Sequence, residues 1–370
     1  MVSPGQLRSG YTTGSCATAA VYAALVWVLE GTQQSTVTIR LPDGTPVGFS
    51  PEACSREGRS ARCCIRKDAG DDPDVTNGML VCAEVELDMS LPDGTVVFLR
   101  GEGVGVVTLP GLGIEVGGPA INPVPREMIS SAARELLESH KVQGGVRVTV
   151  SVPGGEEVAR KTLNARVGVI GGISIIGTSG RVIPYSEEAF VQSIARMISV
   201  AAGSGAKELV VTAGIRSENA LRPFFAGLPD TAFIHYGNRI GSALELISRE
   251  GCFERVTVGV MLAKATKLAR GEFDLSSRTV GLDRSFIASL LGDAGYGDDV
   301  QRAARQLELV RSLVGILPFS ADEPFYRLLA QQCRMVCRRR WSRGGLIFVL
   351  LTMEDGGVLC DENGCRPLGC

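Results

Sequence analysis

Aromatic residues make up only 5% of this 370-residue chain, and histidine occurs just twice. A set that thin offers few platforms for stacking nucleobases. A net charge of −2 supplies no basic field for a nucleic-acid backbone either. Internal repeats and low-complexity segments are absent. The longest apolar stretch, Cys16 to Leu29, holds 14 residues and is closed by Glu30-Gly31. It falls short of a membrane span, only Arg8 charges the region ahead of it, and no small-x-small cleavage site follows, so a buried helix is expected.

What remains is the composition of an ordinary globular protein: 45% hydrophobic, 21% charged, with 46 glycines. The length exceeds one comfortable core and predicts two domains. Eleven cysteines are present. Cys16 and Cys82 sit in apolar runs, and Cys63 and Cys64 are adjacent. With no signal peptide, this placement reads as a reduced cytoplasmic chain rather than a disulfide scaffold.

The first half mixes helix and strand. Ser15 is expected to cap a helix to about Leu29, stopped by Gly31. Strand-like runs follow at Val37–Arg40, Arg62–Lys67, Leu80–Asp88 and Val96–Arg100. Two Leu-Pro-Asp-Gly segments, Leu41–Gly44 and Leu91–Gly94, predict tight turns and antiparallel hairpins. A 3.6-residue apolar period predicts a helix from Pro125 to His140, then a strand at Val146–Val152. The second half alternates strands (Leu209–Thr212, Ala232–His235, Val256–Val260) with helices near Glu218–Phe225 and Arg239–Arg249, the pattern of a parallel sheet with crossovers. Helices near Arg284–Leu291, Val300–Val314 and Pro324–Arg339 precede a last strand, Leu346–Leu351, for which a return to the first domain is left open. The expected architecture is an α+β domain (residues 1–180), a Rossmann-like α/β domain (181–345) and a final strand with a cysteine-containing tail (346–370), with the glycine-rich Gly168–Gly180 passage at the junction.

Four polar, glycine-rich blocks exceed what a core requires. The first, Arg8-Ser-Gly-Tyr-Thr-Thr-Gly-Ser-Cys16, enters a helix and offers either a carboxylate site at its N-terminus or plain capping. The second, Lys67 to Asn77, packs Asp68, Asp71, Asp72 and Asp74 into seven positions. Crowded carboxylates raise one another's pKa, which suits proton exchange near neutrality; a solvated acidic turn is the plainer alternative, and calcium-loop spacing is missing. The third runs from Gly101 to Gly113 and on through Asn122-Pro-Val-Pro125. Its glycines admit either a large flat ligand or a strained turn, and no strand-to-helix context supports a dinucleotide fingerprint. The fourth, Val169 to Glu188, is a hydroxyl-lined loop that includes Ser179 and Arg181.

Together these blocks resemble the CbiD family, the cobalt-precorrin-5B C1-methyltransferases, in the same order from Arg8 to about Phe190. Asp68–Thr76, Gly101–Pro125 and Asn164–Ser186 are the most specific parts. The resemblance implies methyl transfer from S-adenosylmethionine to a ring carbon of a tetrapyrrole, with cobalt present only as part of the substrate and no protein-bound metal. Acetate and propionate groups on such a substrate need local cations, which Arg8, Lys67, Lys161, Arg166 and Arg181 flank the blocks to supply. Asp68, Asp72 and Thr13 are the candidate catalytic residues. Arg8, Thr12, Lys67, Asn122, Arg166, Ser179 and Arg181 are the candidate substrate contacts. The small-molecule tetrapyrrole is the expected partner, without nucleic acid or membrane, and homo-oligomerisation is left open.

The second half departs from the family pattern. Asn77 stands where the family has His, and Val260-Met-Leu-Ala263 replaces a Gly-His-Ile-Gly stretch before Lys264 and Lys267. Leu275-Ser-Ser277 replaces Thr-His-Ser. A divergent corrinoid-binding protein without methyltransferase activity is therefore the alternative, and a zinc site among Cys333, Cys337, Cys360, Cys365 and Cys370 is another, lacking the usual close cysteine pair. His140 ends a helix and reads as structural. Parallel strands place ligands beyond their carboxyl ends, which assigns the methyl donor to Gly214, His235, Gly237 and Asn238.

Overall fold

The computed structural model describes residues 7–341 and 345–359. The chain divides into two compact units, Met1–Glu187 and Glu188–Cys370.

The first unit is organised around α1, Thr13–Glu30, an 18-residue helix with 14 buried residues. Alanines on it (Ala17, Ala19, Ala20, Ala23, Ala24) let neighbours approach closely, and all are buried. The helix is longer than the 14-residue run suggested, long and apolar enough by length and composition to cross a membrane. Its surroundings are protein: it packs against α2, Pro123–Ser139, and a five-stranded sheet. Thr12, not Ser15, is the N-cap, its side chain accepting from the Ser15 N–H, and Gly31 closes the helix in the left-handed conformation.

That sheet contains β1 (Glu52–Glu57), β2 (Ser60–Arg66), β3 (Leu80–Asp88), β4 (Val96–Arg100) and β5 (Gly145–Ser151), in the order β1-β2-β3-β5-β4. Alternate residues Val146, Val148 and Val150 of β5 are fully buried, the period-two pattern of a strand with one covered face. The Leu41–Gly44 turn does join a hairpin, Val37–Arg40 with Pro46–Phe49. The Leu91–Gly94 turn does not. β5 inserts between its two strands, antiparallel to β3 and parallel to β4. The turn is held to the start of β5 instead, where the Gly94 N–H donates to the Gly144 carbonyl and the Gly144 N–H donates to Asp93.

Cys64 and Cys82 face each other across β2 and β3 and are joined by a disulfide, which corrects the expectation of a fully reduced chain. Cys16, Cys54, Cys63, Cys252, Cys333 and Cys337 are free. The Gly168–Gly180 passage is no junction but is threaded through the first unit, and Arg181–Val182 beyond it pairs with Gly10–Tyr11.

The second unit begins with α3 (Glu187–Gly203) and continues through β6 (Glu208–Thr212), α4 (Ile215–Leu221), β7 (Phe233–His235), α5 (Ile240–Glu250), β8 (Arg255–Met261) and α6 (Leu262–Ala269). The expected helix at Val300–Val314 is broken into a helix at Asp298–Ala304 and a 3-10 turn at Val310–Gly315. After α7 (Pro324–Arg338) come β8's neighbour β9 (Leu346–Thr352) and β10 (Val358–Leu359), giving the sheet order β7-β6-β8-β9-β10. The last long strand therefore stays in the second unit, parallel to β8, and does not return to the first. β7, β6, β8 and β9 are all parallel; only β10 is antiparallel. Leu209, Val210, Val211, Val256, Val258 and Val260 are fully buried, the continuous apolar run of strands covered on both faces.

Candidate active site

The four blocks meet at the N-terminus of α1. The Tyr11 N–H donates to the Asp68 carbonyl at 2.8 Å, the Thr12 N–H to Gly180 at 3.1 Å and the Gly14 N–H to Ile176 at 2.9 Å. The Asn122 N–H donates to Ile175 at 2.9 Å, which brings in the third block. The Thr13 hydroxyl accepts from the Ile176 N–H at 2.9 Å, and the Ser15 hydroxyl donates to the Gly180 carbonyl at 2.7 Å. With the Ser15 N–H on the Thr12 hydroxyl, the Gly14 and Ser15 donors of the first turn are taken up within the protein. The N-terminus is thus stitched to its neighbouring loops and is not the open carboxylate site the sequence suggested. Thr12 and Thr13 are buried and serve that stitching.

The glycines serve it too. A Cβ on Gly10 would lie 2.2 Å from the Ala69 carbonyl carbon, and one on Gly103 would lie 1.9 Å from the Val152 carbonyl oxygen. Backbone, rather than a flat ligand, fills the space beside them.

In the acidic loop, Asp68 and Asp74 are lowered, against the rise that crowding predicts. Arg8 donates to Asp68 at 2.8 Å, and that hydrogen bond, with one from the Gly70 N–H, pulls Asp68 down to about 2. Asp74 accepts from Lys67 at 2.7 Å and also from Thr76; these partners outweigh burial and leave it below the ordinary carboxylate range. The Lys67 side chain is 1% exposed, so its ammonium is spent inside the loop. Asp71 accepts from the Arg8 N–H at 2.7 Å. Asp72 differs: its Oδ1 accepts from the Tyr185 N–H at 3.0 Å, tying the second block to the fourth.

Tyr185 was not singled out in the sequence. It has φ +56, a left-handed backbone costly for a residue with a Cβ, and is 69% exposed. Ile183 beside it is also exposed. Asn122 is half-buried at the N-cap position of α2, yet its side chain makes no cap. Ser179 is exposed and its hydroxyl accepts from the Arg181 N–H at 3.3 Å, while Arg181 is half-buried in the short strand against Gly10–Tyr11. Arg166 lies farther along the loop, in the 3-10 turn Asn164–Val167, which Asn164 fastens to the Gly172 carbonyl at 3.1 Å.

In the second unit, β6 has β7 on one side and β8 on the other, so the sheet's topological switch lies at the end of β6. The loop after β7 crosses that end: the Tyr236 N–H donates to Thr212 at 2.8 Å and its hydroxyl to Gly259 at 3.1 Å. Gly214 is extended, and a Cβ there would meet nothing within 4 Å. Gly237 has φ +61, and a Cβ would lie 2.6 Å from the Phe190 ring. His235 Nε2 lies 2.6 Å from Glu218 Oε2, a fully buried carboxylate that also receives Arg222 at 2.7 Å. His235 is therefore engaged by protein. Asn238 is half-buried, with its carbonyl accepting from the Leu275 N–H at 2.9 Å.

His140 accepts its structural reading: it is the C-cap of α2, with Nδ1 3.0 Å from the Leu136 carbonyl. Cys333 and Cys337 are buried in α7. Cys360, Cys365 and Cys370 lie outside the described residues, and among the described residues no group of three metal-capable side chains assembles.

Residues 2–184 match the CbiD family model. A cobalt-precorrin-5B C(1)-methyltransferase of Prosthecochloris aestuarii is 65% identical, covering 98% of this chain and 99% of that one. The protein of the same name from Geobacillus sp. (strain WCH70) is 40% identical over 95% of this chain and 96% of its own. Likeness thus continues well past Phe190, where the sequence motifs alone stopped. Among solved structures, the 1.9 Å crystal structure of a cobalamin biosynthesis protein (CbiD) from Archaeoglobus fulgidus is 28% identical, covering 74% of this chain and 83% of that one, with a TM-score of 0.38.

Proposed function

The chain belongs to the CbiD family, and on that premise we propose that it methylates C1 of cobalt-precorrin-5B in cobalamin biosynthesis. It is a methyltransferase whose substrate is a tetrapyrrole: the 65% identity to a protein of that name over nearly the whole chain outweighs the departures from the family motifs that suggested corrinoid binding alone. The observation that carries the reading to the site is Tyr185. An exposed aromatic ring in a strained backbone, held there by Asp72, is a flat apolar platform suited to a macrocycle. Arg8, Arg181 and Arg166 stand around the same blocks to meet peripheral carboxylates, and Asn122 offers a side-chain amide. Lys67 acts indirectly, by holding the acidic loop through Asp74.

S-adenosylmethionine supplies, when bound, a methyl group on an electrophilic sulfonium. We read the second unit as Rossmann-like and place the donor at its strand ends, where Gly214 borders open space and Asn238 presents an amide. His235 and Gly237 shape this place from behind, through Glu218 and Phe190. The C1–methyl bond forms as the sulfur–methyl bond breaks, with the electron pair leaving on sulfur. The protein's contribution is alignment, worth up to roughly 7–11 kcal/mol for a well-positioned bimolecular step. Arg8 keeps Asp68 ionised and weakly basic, so Asp72 is the carboxylate we assign to any proton movement as the ring rearranges. Among the described residues six cysteines are free and one pair is joined, and we propose the cytoplasm on the free thiols.

Incubating the purified protein with S-adenosylmethionine and cobalt-precorrin-5B, then weighing the tetrapyrrole, tests the function. A gain of one methyl group is expected; a product of unchanged mass under conditions where both ligands bind would leave only the corrinoid-binding role.

A further inference from the structure

Two ammonium groups stand together beside the loop that crosses the strand ends. Lys264 and Lys267 are one turn apart on α6, which follows β8 directly. Lys264 Nζ donates to the Gly237 carbonyl at 2.8 Å. Lys267, only 8% exposed, donates to the Leu275 carbonyl at 3.4 Å and the Ser277 hydroxyl at 3.2 Å. An ammonium carries three donors, so about half of the six are used within the protein. Neither lysine has a carboxylate at ion-pair distance among the described residues. Asp274 faces Lys267, but its oxygens are committed to Arg239 at 3.3 Å, the Ser276 N–H at 3.0 Å and the Thr279 hydroxyl at 3.1 Å.

We propose that Lys264 and Lys267 form a carboxylate-binding site at the C-terminal edge of the parallel sheet. Holding one buried and one half-buried cation side by side with no carboxylate at ion-pair distance opposes folding, and an arriving carboxylate relieves both the desolvation and the mutual repulsion. Burial indeed holds both lysines below their ordinary pKa, with the charge of Lys267 adding to the effect on Lys264 and Asp274 opposing it at Lys267. The inference rests on the methyltransferase reading for its ligands, both of which carry carboxylates: the amino-acid end of S-adenosylmethionine, and the acetate and propionate arms of the tetrapyrrole.

The test uses the full-length protein and its Lys264→Met and Lys267→Met variants. Calorimetry measures binding of S-adenosylmethionine and of its decarboxylated analogue, steady-state kinetics give KM for cobalt-precorrin-5B, and thermal melts report folding. The expected result is an unchanged or higher melting temperature with at least a tenfold loss toward one carboxylate-bearing ligand. Weaker S-adenosylmethionine binding with undiminished binding of the decarboxylated analogue identifies the donor's carboxylate. Unchanged donor affinity with a raised KM for the tetrapyrrole, at constant kcat, identifies the substrate's. Wild-type affinity and KM in both variants would overturn the site, and so would a lower melting temperature with equal losses for the donor and its decarboxylated analogue. A wild-type protein that binds both ligands without transferring methyl refutes the functional reading alone, since the binding comparison still stands.

Discussion

The two units hold their candidate sites by different means. Around α1 the contacts are mostly backbone to backbone, with Gly10 and Gly103 so close to facing carbonyl groups that no side chain fits. At the strand ends of the second unit, side chains and buried charge do the holding: Glu218 grips His235 and Arg222, and the Tyr236 hydroxyl donates to the Gly259 carbonyl. The contrast separates glycine-rich from ligand-cradling. Where glycines are consumed by backbone packing, the proposed binding role falls to side chains such as Asn122, Asp72 and Tyr185. Where a glycine borders open space, as Gly214 does, the backbone itself is available to a ligand.

The comparison breaks most sharply if glycines in the two units respond alike to alanine. Gly103→Ala forces a Cβ against the Val152 carbonyl at φ +70 and is expected to cost at least about 3 kcal/mol in urea unfolding. Gly214→Ala, extended and unobstructed, is expected to stay within about 0.5 kcal/mol of wild type while weakening donor binding. Gly237→Val, by contrast, tests nothing cleanly, because φ +61 and Phe190 would disturb the fold first. Next in size is Glu218→Gln, which strips a buried counter-charge from Arg222 beside the contact to His235. A loss of about 3 kcal/mol is expected, and an unchanged urea midpoint would mean that side-chain charge does not hold this region.

Elements were legible in the sequence where apolar periodicity decides them. Leu80–Asp88 and Val96–Arg100 form strands over the same residues that the alternation predicted. Pairing was not legible, because a Leu-Pro-Asp-Gly turn fixes a chain reversal and not the strand that fills the gap; β5 lies beyond α2 in the sequence and enters the gap through contacts with Gly144 that no local pattern encodes. The site shows the same limit. The four blocks were readable as unusual, since hydroxyls and glycines there exceed what packing needs. Their convergence on α1 depends on bonds such as Thr12 to Gly180 across the chain. The depressed Asp68 and the strained Tyr185 likewise follow from partners distant in sequence.

Within the first unit, Asp72 sharpens the distinction between holding and reacting. Asp72→Asn keeps an oxygen for the Tyr185 N–H but removes the charge, so the melting temperature is expected to hold while kcat falls about a hundredfold, the lower end of what proton transfer contributes. Full activity in Asp72→Asn together with a loss in Asp72→Ala would assign Asp72 to positioning Tyr185 and nothing more.

The smallest expected effect belongs to the exposed pair of Arg8 and Asp68, and it tests whether charge matters in the first unit at all. Both side chains are more than half exposed, so solvent screens the pair and its share of stability is slight. Its signature is a titration. Asp68 is held at about 2 against an ordinary value of 3.8. A carboxyl lowered on folding stabilises the native state above its unfolded pKa, and that contribution disappears as pH falls from about 4 toward about 2. Arg8→Ala removes the hydrogen bond that dominates the shift, so NMR titration should find Asp68 moved back up toward the ordinary carboxylate range, with stability at neutral pH nearly unchanged. If Asp68 stayed near 2 without Arg8, the Gly70 N–H would be the controlling partner, and even the charged side chains of this unit would be governed by its backbone.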